Sequence, residues 1–446
     1  MKIEQFEDKS LSHYSYAVLS ERQNEIVLID PSRDLSPYIA FAASNKAKII
    51  GVIETHPHAD FVSGHLELQE TTGAAIYCSK LTGAQYPHQT FDDGQILNFG
   101  EITLKAVNTP GHSPDGISIV LEHDGEDYAV FTGDTLFIGD CGRPDLRESA
   151  GNITSKREDL ARQMYHSLRE KLMKLDDEVL LYPAHGAGTL CGKGLSEANS
   201  STMGAEKISN WSLQQMSESQ FIAKLLADQP FIPAYFTFDV ELNRKGAMAL
   251  NLALEKVKKT TLDNTKIDDQ VVIVDGRSAV EFKTSHLKGA INIMADGKFE
   301  TWLGSIIKPN EPFYLVAEND IALNDLILRT AKIGYESFIK EAFVLNAGDT
   351  SSEQTDIVDF KENPSAYTIV DVRNTSEVTA NAGFEHALHI PLPELRSRTA
   401  EIPSDKPIMV HCAGGYRSAA ASSILEGKFS SQTKVYDLST AVKDFF

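Results

Sequence analysis

The second half of this chain carries one pattern twice, and that duplication constrains the fold more than any other feature. Residues 271–281 (VVIVDGRSAVE) are matched by residues 367–377 (YTIVDVRNTSE), an offset of 371 − 275 = 96. Residues 289–293 (GAINI) are matched in turn by residues 386–390 (HALHI). Each copy runs apolar strand, turn, helix, strand, which implies parallel pairing with helices on both faces. A period this long excludes a solenoid and suits two small α/β domains in tandem, expected at residues 260–352 and 353–446.

The copies differ where chemistry would sit. In the second, the strand at 407–411 runs into Cys412-Ala413-Gly414-Gly415-Tyr416-Arg417 and then a helix. Glycines let backbone N–H groups turn inward, and a helix N-terminus adds positive potential, so the loop reads as an anion cradle around a cysteine. Such surroundings favour a thiolate and a bound persulfide. Arg417 ends the loop and can bond its backbone or an anionic donor. A plain buried cysteine at a strand end is the alternative. The first copy has PFYLVAEND at 312–320, with no Cys, Gly or closing Arg. It is expected to be a structural or docking copy, with Asp275, Arg277 and Glu281 as fold-supporting groups.

The first half is organised differently. The apolar run 49–53 ends in THPHADFVSGH at 55–65, which offers His56, His58 and Asp60 just past a strand. Downstream come NTPGHSPDG at 108–116, TGDTLF at 132–137 and YPAHG at 182–186, adding His112, Asp134 and His185. Each follows a strand-like run, where loops on a rigid scaffold carry function. Imidazole and carboxylate together suit zinc, iron or manganese. Helices are expected at 35–45 and at 66–72 with Gly73 as stop, and Asp93-Gly94 reads as a hairpin signal. Residues 197–219 read as a linker or surface helix. Residues 220–259 read as helix, Pro-bearing loop and helix, closing a first domain at 1–259.

At 446 residues, three domains are the natural count. The net charge of −21 repels nucleic acid and anionic lipid, so neither is an expected partner, and an anionic substrate would need local basic groups. No uncharged run reaches the roughly 18 apolar residues of a membrane span, and the first residues lack an apolar signal core. Cys78, Cys141, Cys191 and Cys412 are scattered, which points to a reducing cytoplasm rather than a disulfide scaffold. Cys78 and Cys141 read as structural.

The ordered ligand set over roughly the first 200 residues resembles the metallo-β-lactamase superfamily, an αββα sandwich with metals at one sheet edge. Hydrolytic members place a further His at the position of Phe61, which cannot ligate. His56, His112 and Asp134 then form a first set, with His58, Asp60 and His185 as second-shell groups or a vestigial second site. Two imidazoles and one carboxylate match the facial triad of non-haem Fe(II) oxygenases. Together with DCGRPD at 140–145, the motifs resemble the persulfide dioxygenase branch.

That resemblance implies one Fe(II) in this domain, with zinc as the alternative. It further implies oxidation of a low-molecular-weight thiol persulfide (glutathione, coenzyme A or similar) by O2 to sulfite. Arg143 would clamp the anionic substrate, or else form an intradomain ion pair. Cys191, in GTLCGK at 188–193, would accept or relay sulfane sulfur, or else be an inert thiol. The Cys412 loop, with Asp371 and Arg373 upstream, resembles a rhodanese of sulfurtransferase length, implying exchange between sulfite and thiosulfate. His386 departs from the glycine usual there. A zinc thioesterase of the hydroxyacylglutathione hydrolase type with an appended rhodanese is the competing reading. A homo-oligomer is expected.

Overall fold

A computed structural model describes residues 1–148, 151 and 155–445, so Phe446, the last residue of the second copy, lies outside it. The chain divides into two compact units, residues 1–252 with 332–334 and residues 253–331 with 335–446.

The first unit is built on two six-stranded sheets. One has the order β1 (Lys2–Asp8), β2 (His13–Ser20), β3 (Glu25–Ile29), β4 (Lys48–Ile53), β5 (Ala75–Cys78) and β6 (Gln89–Thr90). The other contains β7 (Ile96–Phe99), β8 (Ile102–Asn108), β9 (Ile117–His123), β10 (Glu126–Gly133), β11 (Leu180–Pro183) and β12 (Ser201–Thr202), in reverse sequence order. Tyr16, Val18, Val27, Ile29, Leu104, Ile119, Leu121 and Phe131 fill the space between the sheets. The outer face of the first sheet packs on Tyr38, Phe41 and Leu68 from the helices Ser36–Ser44 and His65–Thr72. The outer face of the second packs on Leu160, Met164 and Leu168 in residues 157–171, and on Phe221 and Leu225 of the helix Glu218–Leu226. Strand faces alternate between these layers, so apolar residues on both faces make each sheet a filling between core and helices. The αββα sandwich expected from the ligand order is the fold observed.

Asp93-Gly94 is not a hairpin. It carries the chain from β6 in the first sheet to β7 in the second. Hairpins with Gly at the turn join β7 to β8, through Gly100 with φ 59°, and β9 to β10, where Asp124 and Gly125 take left-handed φ values of 54° and 87°. Residues 197–219, read as linker or surface helix, contain the edge strand β12 and the helix Met203–Ser209.

In the second unit, the sheets confirm the duplication. One has the order β13 (Lys259–Thr261), β17 (Ile339–Val344), β16 (Phe313–Ala317), β14 (Val272–Asp275), β15 (Ala290–Asn292). The other has β19 (Leu388–His389), β18 (Thr368–Asp371), β20 (Ile408–His411), β21 (Val435–Asp437). All pairs are parallel. Register gives the equivalences directly: Asp275 pairs with Val316 as Asp371 pairs with His411, so Ala317 stands where the other copy has Cys412. Asp275–Arg277 and Asp371–Arg373 form the same buried pair at 2.6 Å in both copies. Among the described residues, no helix is long and apolar enough to cross a membrane.

Candidate metal centre and cysteine loop

His56 leaves β4, His112 leaves β8, Asp134 leaves β10 and His185 leaves β11, so four strand exits meet at one edge of the sandwich. The sheets are stapled there: Tyr14 N–H donates to the Ala184 carbonyl at 2.7 Å, and Gly186 N–H to that of Ser12 at 2.9 Å. Gly133, just before Asp134, has φ 51°, and a Cβ on it would lie 2.5 Å from Thr55 Oγ1. Only glycine lets the two exits approach so closely.

His56, His112 and Asp134 form one group able to hold a metal ion, and all three are buried. Asp134 Oδ2 faces His112 Nε2 at 3.5 Å and His56 Nε2 at 3.8 Å, and no protein donor bonds it. The tautomer of His56 follows from its neighbours. Thr55 Oγ1 donates to Asp30 Oδ2 at 2.7 Å, so it can only accept from His56 Nδ1–H at 3.0 Å. That leaves the Nε2 lone pair of His56 turned into the centre. Burial pushes both His56 and His112 well towards the neutral form a ligand needs. Asp134 is held well below the usual carboxylate range, because the charge and hydrogen bond of His185 outweigh its burial. An orphaned carboxylate oxygen between two neutral imidazoles fits a divalent transition metal.

The other three candidates do not form one set. His185 sits between two carboxylates, with Nδ1 2.7 Å from Asp134 Oδ1 and Nε2 2.8 Å from Asp60 Oδ2. Despite its burial, those neighbours raise it well above the ordinary imidazole value. Asp60, His185 and Cys191 make a second group. His58 turns instead to Asp30 at 3.1 Å and Glu54 at 3.7 Å, a third group. Grouping His58 with Asp60 and His185 is thus corrected: the turn after β4 points alternate side chains to different sides. Phe61 stacks on His58 with centroids 4.3 Å apart and meets His13 at a tilt, with centroids 3.9 Å apart. The helix Tyr235–Lys245 closes over this loop, since Asn243 Nδ2 donates to the carbonyls of His58 and Phe61 at 2.9 and 2.7 Å.

Arg143 is 1% exposed and every guanidinium donor is engaged. Nε and Nη2 fork onto Asp145 at 2.7 Å each, while the carbonyls of Leu190, Phe231 and Pro230 accept the rest. This is an intradomain ion pair, and with Arg143 N–H bonding the Cys191 carbonyl it anchors the cysteine segment. Cys191 is buried beside Asp60, and burial together with Asp60 and Asp134 raises its thiol well above the usual range. His13, Asp30, Glu54 and the buried Arg147–Asp115 pair at 2.9 Å escaped the sequence reading. Asp30-Pro31 at the end of β3 was the one visible signal, a carboxylate at a strand exit.

In the second unit Cys412 is 1% exposed, and its Sγ accepts the Gly415 N–H at 3.1 Å. Gly415 has φ 102°, and Thr440 N would lie 3.2 Å from an added Cβ. The helix Tyr416–Phe429 follows. Ala413 and Gly414 are exposed, leaving the cradle open on that side. Arg417 forks onto Glu377, Nη2 to Oε1 at 2.8 Å and Nη1 to Oε2 at 2.5 Å, and so ties the loop to the helix Thr375–Ala380.

Residues 11–185 match the metallo-beta-lactamase superfamily, and residues 258–348 and 355–445 each match the rhodanese-like domain. The mitochondrial persulfide dioxygenase ETHE1 of Homo sapiens is 32% identical over 174 residues, covering 39% of this chain and 63% of the relative. The cytoplasmic hydroxyacylglutathione hydrolase of Arabidopsis thaliana is 32% identical over 176 residues, covering 39% and 63%. The crystal structure of a metallo-beta-lactamase from Staphylococcus aureus subsp. aureus COL superposes with a TM-score of 0.69 at 32% identity, covering 77% of this chain and 98% of that one. The chain thus spans about two thirds of the length of the curated relatives it matches.

Proposed function

The chain belongs to the metallo-beta-lactamase superfamily and carries two rhodanese-like domains behind that fold, and from this premise we propose that it is a persulfide dioxygenase joined to a sulfurtransferase. The observation that carries the reading is the convergence of His56, His112 and Asp134 on one centre beside Phe61, which packs against His58 and His13 in place of a further ligand. Similarity to ETHE1 supports it.

His56, His112 and Asp134 would hold a single ferrous ion. When bound, that ion supplies activation of dioxygen and a template for the persulfide. Asp60 and Asp134 fix the orientation of His185, and their burial keeps the centre dry. The net reaction converts persulfide, O2 and water to sulfite and thiol. In the last domain, Cys412 thiolate attacks the outer sulfur of thiosulfate, the S–S bond breaks and sulfite leaves with its electron pair, giving a cysteine persulfide. Gly415 N–H bonds the cysteine sulfur, and Arg417, braced by Glu377, closes the cradle. Run in reverse, the sulfite made by the first domain becomes the acceptor of the second. A cytoplasmic location and a homo-oligomeric state belong to this proposal.

The equal identity of a hydroxyacylglutathione hydrolase keeps a two-zinc thioesterase as the second reading. Anaerobically purified, iron-loaded protein should consume oxygen with glutathione persulfide and release sulfite. Two zinc ions per chain, thioester cleavage and no oxygen uptake would overturn the dioxygenase.

A further inference from the structure

Within the second unit, the copy that lacks a cysteine reaches the loop of its sibling at one defined place. Tyr416, the fifth residue of the loop, donates its hydroxyl to the Met294 carbonyl at 2.7 Å. Its ring lies over Gly297, where an added Cβ would come within 3.4 Å of the ring carbons. Gly297 has φ 78°, a left-handed backbone conformation that favours glycine.

The segment that receives Tyr416 is itself held from below. Arg329, on the helix Asp320–Lys332, forks onto the fully buried Glu300 with Nε–Oε1 and Nη2–Oε2 both at 2.7 Å. Nη2 also donates to the Gly297 carbonyl at 3.2 Å, and Nη1 donates to that of Ala295. A guanidinium–carboxylate fork fixes direction as well as distance, so residues 294–300 form a rigid strap. The helix bearing Arg329 follows Ala317, the position equivalent to Cys412. The copy without a cysteine thus presents a braced carbonyl to the loop that has one.

That loop needs bracing. Ala413 and Gly414 are exposed, and nothing lies within 4 Å of a Cβ built on Gly414. Its far end is tied by two adjacent residues, Arg417 to Glu377 and Tyr416 to Met294. The first tie lies inside the active copy and the second crosses to the inactive one.

We propose that the inactive copy serves as the positioning element of the Cys412 cradle, with Tyr416 and Arg329 as positioning residues acting through the Met294–Gly297 strap. Neither touches the sulfur. They hold the turn in which Gly415 N–H points at Sγ, so their loss affects turnover rather than donor binding. The proposal rests on the sulfurtransferase reading of Cys412.

The test uses the full chain and follows two readouts. Tyr416→Phe should lower kcat for thiosulfate-to-cyanide transfer about fivefold, the worth of one neutral hydrogen bond, with KM for thiosulfate unchanged. Arg329→Met should do the same, and the double variant should be no worse than either single one, because both act through one strap. Gly297→Ala, which strains the left-handed turn beneath the Tyr416 ring without altering charge, should reproduce the effect. In every variant the rate of Cys412 alkylation by iodoacetamide, read on its own peptide by mass spectrometry, should fall in parallel. Single-variant losses that add, or a lowered melting temperature with kcat and alkylation unchanged, would overturn the proposal. If the wild-type chain transfers no sulfur, the sulfurtransferase reading fails, while the alkylation rates still decide the positioning role.

Discussion

Glu54 lies 3% exposed behind the metal edge, accepting a hydrogen bond from Ser63 Oγ at 2.8 Å. Burial pushes its carboxyl from the ordinary 4.5 up to about 8, with His58 opposing the rise. The folded protein therefore keeps this proton over a range in which the unfolded chain has lost it. Stability from this group is present at acid pH and is lost as pH rises from about 4.5 towards 8, at up to about 1.4 kcal/mol per pH unit. His58 works in the same direction. Its burial is outweighed by Asp30 and Glu54, its folded value is raised, and its contribution also disappears as pH rises. Urea unfolding of the metal-free protein between about pH 7 and pH 9, above the range in which His56 and His112 lose their protons in the unfolded chain, should show falling stability, and Glu54→Gln should flatten that slope. Arg143 gives a second prediction at this scale. Arg143→Met leaves Asp145 and three carbonyls without their partner and should cost roughly 3–5 kcal/mol in urea unfolding. An unchanged midpoint with a raised KM for persulfide would instead make Arg143 the substrate clamp.

At the scale of elements, the two copies of the small domain show what a strand-to-helix turn needs for sulfur chemistry. Strand register places Ala317 where Cys412 stands. The inactive turn runs from Ala317 to a helix beginning at Asp320, whereas Cys412 is followed by two glycines before Tyr416. Glu281, the counterpart of Glu377, caps its own helix through Ser278, while Glu377 also holds Arg417. Restoring the sulfur atom alone should therefore restore nothing. In a Cys412→Ser background, Ala317→Cys should leave thiocyanate formation at background, because neither the inward N–H of a left-handed glycine nor the arginine brace is present. Activity in that variant would mean that the cysteine suffices without the cradle. The same scale explains the misread turn at Asp93-Gly94: a turn dipeptide records a reversal, and only pairing decides whether it returns to the same sheet.

For the molecule as a whole, the ligand edge lies in the first unit and the cysteine loop in the second. Each has its own residues, so the two activities should separate by mutation. Cys412→Ser should abolish thiocyanate formation and leave oxygen uptake largely intact. Asp134→Asn should remove bound iron and oxygen uptake while thiosulfate-to-cyanide transfer persists. Loss of both activities in either single variant would show that the sites are not independent.

Much of this protein was legible in the sequence because its signals are local. A histidine or aspartate just past an apolar run is at a strand exit whatever the rest of the chain does, and two such runs 96 residues apart must build the same small domain twice. The alternation of strand and helix and the cysteine in a glycine turn are equally short-range. Pairing was not legible. His58 and Asp60 are two residues apart, yet one turns to Asp30 and Glu54 and the other to His185 and Cys191. Arg143 could be read as a clamp or as an intradomain pair, and nothing in the sequence showed that its donors meet carbonyls 47 and 88 residues away. Residue type and strand position determined which groups gather at the metal edge. Only the tertiary structure decided which lone pair faces which proton, because a buried polar atom must find its partner wherever the packing brings one.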